Sequence, residues 1–161
     1  MLRGSKGGRR VWRFCDCLKP HMIGILIISH GTLGESLIHC ASHMLNKRPP
    51  RLRQIGVTAQ DDPVLLVPQA GKMIKELDDG DGVLVLTDMY GGSPSNIAAK
   101  LVIPGRIEAI AGVNLPMLIR ALTYRDKSMT MMVTKAISGG CEGVLRVPPV
   151  FTTIQNAATG R

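Results

Sequence analysis

Apolar runs at residues 22–28, 54–57, 82–87 and 107–113 punctuate the chain, each ended by glycine or polar residues. Such runs carry no alternation of apolar and polar positions. They predict strands buried on both faces, as in a parallel sheet covered by helices. Between them the apolar spacing turns helical. Leu37, Ala41, Met44 and Leu45 share one face of a segment at 33–46. Asp62 followed by Pro63 reads as a helix start, with Val64, Val67, Met73, Ile74 and Leu77 behind it. Ser93 reads as the cap of a third helix, with Pro94 at its first position and Ile97, Ala98 and Leu101 inward. Asn114 opens a fourth helix through Leu118 and Leu122. A fifth runs over 129–137 and stops at Gly139-Gly140. The order predicts an α/β fold: an open, mainly parallel sheet with helices on both faces and right-handed crossovers. Segments 144–147 and 150–154 read as further short strands.

Charge refines the boundaries. The chain of 161 residues carries a net charge of +8. Arg3, Lys6, Arg9, Arg10, Arg13 and Lys19, against Asp16 alone, place +5 of it within residues 1–21. The remainder is nearly balanced, which weakens a nucleic-acid or membrane reading of the charge. Aromatic residues are only 3 %, too few for base stacking. We therefore expect a basic, disordered leader at 1–21, with Met22 a plausible natural start, one domain at 22–147, and a tail at 148–161. No apolar run approaches the ~20 residues of a membrane span. The run at 22–28 ends in Ser29-His30-Gly31 without a signal-type cleavage site. The expected location is cytoplasmic, with Cys15, Cys17, Cys40 and Cys141 as reduced thiols.

In an open α/β sheet, ligands meet the carboxyl ends of the strands. The first strand ends in Ser29-His30-Gly31-Thr32, the third in Asp88-Met89-Tyr90-Gly91-Gly92-Ser93, and the fourth in Gly112-Val113-Asn114-Leu115-Pro116. One imidazole and one carboxylate thus share a rim. Asp88 is suited to accept a hydrogen bond from one ring nitrogen of His30, fixing the tautomer and leaving the other nitrogen nucleophilic. Backbone N–H groups at Gly91 and Gly92, the Ser93 hydroxyl and the start of the next helix are suited to phosphoryl oxygens. Gly31 and Thr32 are placed to do the same. Phosphoryl transfer through histidine is the chemistry this set fits, and it needs neither cofactor nor metal. Asn114, Leu115 and Pro116 are expected to face a protein partner.

Two other readings compete. Ser29-His30-Gly31-Thr32-Leu33-Gly34 also resembles the phosphate turn of a flavodoxin-like flavin-binding module, although Tyr90 is the sole ring positioned to cover a flavin. A receiver-type domain phosphorylated on Asp88 would need acidic residues at the end of the first strand, where Ser29 and His30 stand.

The segments from Met22 to Gly31, Thr87 to Asn96 (TDMYGGSPSN) and Gly112 to Leu118 (GVNLPML) resemble, in this order, the enzyme IIA component of the mannose-type sugar phosphotransferase system. The resemblance covers residues 22–143. It implies that His30 is phosphorylated on Nε2 by the histidine-containing phosphocarrier protein and donates to a IIB domain, for sugar uptake or a regulatory relay. It also implies that Asp88 orients the imidazole and Ser93 lies near the phosphoryl group. Members are homodimers in which a C-terminal antiparallel strand is exchanged, although the tail of this chain departs from the pattern.

Several other features read as ordinary surface or core. Cys15, Cys17 and His21 lack zinc-type spacing. His39 and His43, beside Cys40, fall away from the apolar stripe of their helix. Residues 47–53 form a basic, solvated loop, and Asp78-Asp79-Gly80-Asp81 a polar turn lacking the later ligands of a calcium loop. Met129, Met131 and Met132 are suited to a core or a dimer face.

Overall fold

The computed structural model describes residues 21–149. Strands β1 (Gly24–His30), β2 (Leu52–Val57), β3 (Val83–Thr87) and β4 (Ile107–Ala111) are linked by helices α1 (Leu33–Met44), α2 (Pro63–Leu77) and α3 (Ser93–Ala99). Helices α4 (Leu115–Tyr124) and α5 (Met129–Glu142) follow. The sheet is parallel throughout, in the order β2-β1-β3-β4. The chain steps outward from β1 to β2, then back across to β3 and β4. With one handedness of crossover, that reversal puts α1 on one face and α2 and α3 on the other. Ile25, Ile27, Leu84 and Leu86 accordingly pack against α1, α4 and α5. Leu26, Ile28, Val83 and Val85 pack against α2 and α3. Alternate residues of one apolar run thus feed two cores.

Three details depart from the sequence expectation. Strand β2 begins at Leu52 rather than 54, because burial along this edge strand is interrupted at Arg53 and Gln54. Leu52 is buried while Arg53 is exposed and pairs with Glu76 at 3.3 Å. Helix α5 continues through Gly139-Gly140 to Glu142. A Cβ at Gly139 would lie 2.7 Å from Arg120 Cβ, and one at Gly140 2.7 Å from Met117 Cε. Those glycines let α5 approach α4; they do not end it. Residues 144–149 form no strand, and Val144, Leu145 and Val147 are exposed. A strand needs a ladder partner, and among the described residues none lies beside them. The segment expected at 150–154, the leader up to residue 20, and Cys15 and Cys17 lie outside the described residues.

At the pole opposite the strand ends sits a residue that sequence reading passed over. Arg125, at the end of α4, is buried, and among the described residues no carboxylate pairs with it. Its guanidinium donates to the carbonyls of Ile23 (3.1 and 2.9 Å), Pro50 (2.6 Å) and Arg51 (3.3 Å). It ties the entries of β1 and β2 to the last turn of α4. Desolvation, with a smaller push from Arg51, lowers its pKa to about 10, so it remains charged at neutral pH. Arg125→Met fills similar space but strands the Ile23 and Pro50 carbonyls, while the Arg51 carbonyl keeps the Ile25 N–H. The expected loss is about 2–4 kcal/mol, read as a lower urea midpoint.

Candidate active site

His30 is the last residue of β1, and Asp88 directly follows the last residue of β3. These neighbouring strands flank the point where the chain reverses direction across the sheet, the crevice in which such folds place their chemistry. One carboxylate oxygen, Asp88 Oδ2, accepts from both the His30 backbone N–H (2.7 Å) and ring Nδ1 (2.8 Å). The other, Oδ1, accepts from the Met89 N–H at 2.8 Å. Since a carboxylate only accepts, Nδ1 carries the proton and the lone pair lies on Nε2. Nε2 has no partner among the described residues, and the imidazole is 50 % exposed against 13 % for the Asp88 side chain. A docking protein can reach this ring.

Asp88 is held ionised. Burial opposes its charge, but the His30 backbone and ring and the Met89 N–H outweigh it, and its pKa lies below the ordinary carboxylate value. The strand ends are fixed in turn. Gly112 N–H donates to the Asp88 carbonyl at 3.0 Å, and Val113 N–H to Thr87 at 2.9 Å.

The glycine turn lies against the ring. A Cβ at Gly92 would meet His30 Cε1 at 3.1 Å. Gly92, not Ser93, is the N-cap of α3; Ser93 and Pro94 are its first two residues. Proline fits there because the first-turn N–H groups have no intrahelical acceptor anyway. Ser93 is exposed, and its hydroxyl has no partner among the described residues. Asn96 steadies the turn: its N–H donates to Gly92 O at 3.0 Å and its Nδ2 to Gly91 O at 3.4 Å. Nothing in the sequence set that role apart from ordinary helix chemistry.

The remaining expected residues divide. Gly31 turns the chain at a φ of 53°, but its N–H is committed to Val57 O at 2.9 Å. Thr32 is the exposed N-cap of α1, and its side chain makes no capping bond. Asn114 Oδ1 caps α4 through Met117 N–H at 2.9 Å, and Nδ2 donates to Gly140 O at 3.0 Å. Leu115 packs partly buried against the core, and Pro116 is exposed. His39 and His43 are exposed on α1. Met129 and Met132 are core residues, whereas Met131 is exposed. In the acidic turn before β3, Asp78 accepts from Gly80 and Gly82 and pairs with Arg106 at 2.9 Å, while Arg51 pairs with Asp79.

A reactive ring on an open rim, rather than in an enclosed cavity, suits group transfer between proteins. The chain belongs to the mannose-type IIA family of the sugar phosphotransferase system: the family model described as "PTS system fructose IIA component" matches residues 24–138. The mannose-specific EIIAB component of Escherichia coli K12 is 35 % identical over 133 residues, covering 80 % of this chain and 41 % of that protein. The chain therefore spans about two fifths of the length of that relative. The fructose-specific EIIA component of Bacillus subtilis is 29 % identical over 106 residues, covering 65 % of this chain and 72 % of that one. A phosphotransferase system component EIIA from Streptococcus agalactiae superposes with a TM-score of 0.70 at 25 % identity, covering 78 % and 97 % of the two chains. Membership makes this chain a IIA-type component of the sugar phosphotransferase system. The flavin reading is not favoured, and Tyr90, the sole ring in these turns, is 88 % exposed. Among the described residues no helix is long and apolar enough to cross a membrane.

Proposed function

We propose that this chain carries a phosphoryl group on Nε2 of His30, received from the histidine-containing phosphocarrier protein and passed to a IIB domain in the cytoplasm. The observation that carries the reading is the Asp88–Nδ1 hydrogen bond of 2.8 Å on a half-exposed ring. In transfer, the Nε2 lone pair forms the new N–P bond as the donor's N–P bond breaks, and the donor nitrogen leaves with that bonding pair. The Nδ1 proton stays on the ring. Positive charge developing on the phosphorylated imidazole is offset by the Asp88 carboxylate. The N–H groups of Gly91, Gly92 and Ser93, together with the Ser93 hydroxyl, are offered to the phosphoryl oxygens. Gly31, its amide already engaged, contributes through its turn, and Thr32 through its hydroxyl and N–H.

The first turns of α1 and α2 and the turn after β3 carry the exposed apolar side chains Leu33, Val64, Leu65, Met89 and Tyr90. They supply the contact by which a protein donor seats over the ring. Pro116 extends that surface, while Asn114 and Leu115 support it from α4. A homodimer is the further expectation. Beyond the Ile103–Ile107 bridge, the outer edge of β4 has no strand partner among the described residues, and Val144, Leu145 and Val147 stand exposed after α5.

The test is incubation with phosphoenolpyruvate, enzyme I and the phosphocarrier protein, followed by mass mapping. A single phosphoryl group on His30, stable in base and lost in acid, supports the reading. A base-labile acyl phosphate on Asp88, or no transfer, overturns it.

A further inference from the structure

We propose that Gly92 is a positioning residue for the imidazole: its bare Cα is the wall on which the His30 ring rests, keeping Nδ1 on Asp88 and aiming Nε2 outward. The rate effect below rests on the phosphocarrier reading; the ring geometry does not.

The argument is one of contact. Carbon atoms that are not bonded meet at roughly 3.5–4.0 Å. A Cβ at Gly92 would lie 3.1 Å from His30 Cε1, but 3.5 Å from Met89 O and 3.7 Å from Pro94 Cδ. The imidazole alone would be crowded. Gly92 itself has an ordinary extended backbone, φ −76° and ψ 170°, so an L-residue is admissible there without strain. Its carbonyl is held by Asn96 N–H, the Gly91 carbonyl by Asn96 Nδ2, and Pro94 stiffens the next turn. The turn is therefore braced, whereas the ring is half-exposed and turns about its Cβ–Cγ bond in a broad well. Relief comes from the ring. Cε1 lies between the two nitrogens, so a push there swings Nδ1 off the carboxylate and re-aims Nε2 together.

This differs from lending an amide to a phosphate. Alanine keeps the N–H, so if that amide were the whole contribution of Gly92, Gly92→Ala would behave as wild type. It also differs from capping α3. Serine restores a good cap yet still carries the Cβ.

The experiment uses the full unphosphorylated chain. Long-range ¹H–¹⁵N spectra of the His30 ring report its tautomer, and the rate of labelling by the phosphorylated phosphocarrier protein is measured alongside. Wild type is expected to show the Nδ1–H form. Gly92→Ala and Gly92→Ser are both expected to show mixed tautomers and labelling slowed about tenfold or more, since small misplacements of a reacting atom cost that much. Wild-type ring signals in both variants overturn the proposal. So does a change in Gly92→Ala that Gly92→Ser repairs, which would assign the effect to capping. If Gly92→Ala does not fold, Gly92→Ser decides alone. A wild-type chain that accepts no label overturns the phosphocarrier reading and leaves the ring spectra to decide the role of Gly92.

Discussion

His30→Ala is expected to reduce phosphoryl labelling to background while the protein stays folded. The chain has four histidines, and their surroundings differ. His21 has both ring nitrogens engaged, Nδ1 with Asp81 at 2.6 Å and Nε2 with the Lys127 carbonyl at 2.9 Å. Each nitrogen is covered by a neighbouring oxygen, which keeps phosphorus from approaching it. His39 and His43 are exposed on α1, and among the described residues no carboxylate bonds to either ring to fix a tautomer. Among the described residues, only His30 combines a bound Nδ1 with an unpartnered Nε2. The substitution removes the ring and one side-chain hydrogen bond, yet the backbone N–H of residue 30 still reaches Asp88 Oδ2. The turn is thereby kept, and the expected stability change is within about 1 kcal/mol, read by urea titration. His43→Ala serves as the comparison and is expected to label at the wild-type rate. Labelling retained in His30→Ala would place the acceptor elsewhere.

Strands β1 and β3 were legible because they are buried on both faces, which writes them as unbroken apolar runs, whereas β4 carries half-buried Glu108 and exposed Ala109 between Ile107 and Ile110. The edge strand β2 was read short, since Arg51 and Arg53 flank a buried Leu52 and look like loop. The end of α5 was misread for a related reason. A glycine pair weakens a helix by local propensity, but here Arg120 and Met117 on α4 come so close that only glycine fits, and tertiary packing prevails. The site was legible as residue types at strand ends. Its wiring was not. No spacing rule says that one oxygen of Asp88 serves both the amide and the ring of His30, or that Gly31 and Asn114 already spend their polar groups on β2 and α4. Arg125, between Tyr124 and Asp126-Lys127, carries the look of a surface residue, and only the three carbonyls around it show otherwise.

Asp88→Asn is expected to slow labelling by about ten- to a hundredfold and to destabilise the fold by roughly 1–3 kcal/mol. Three N–H groups converge on the two carboxylate oxygens: the backbone and ring of His30 on Oδ2, and Met89 on Oδ1. An amide offers one acceptor and one donor at those positions. If its NH2 faces His30, two donors lose their acceptor and the ring tautomer is released. If it faces Met89, one buried-side donor is opposed, and the retained oxygen is neutral. In neither case does a full negative charge offset the phosphorylated ring. The fold therefore survives in either orientation, and the chemistry is weakened in both. The pH dependence follows the same bonds. Asp88 has a folded pKa below its unfolded one, so its stabilising contribution is complete above the unfolded value near 3.8 and is lost as pH falls through the folded value. The variant's stability deficit against wild type should therefore be present above the unfolded value and narrow as pH falls below about 4. A deficit that failed to narrow at the acid end would mean that Asp88 is not held as a carboxylate in the fold.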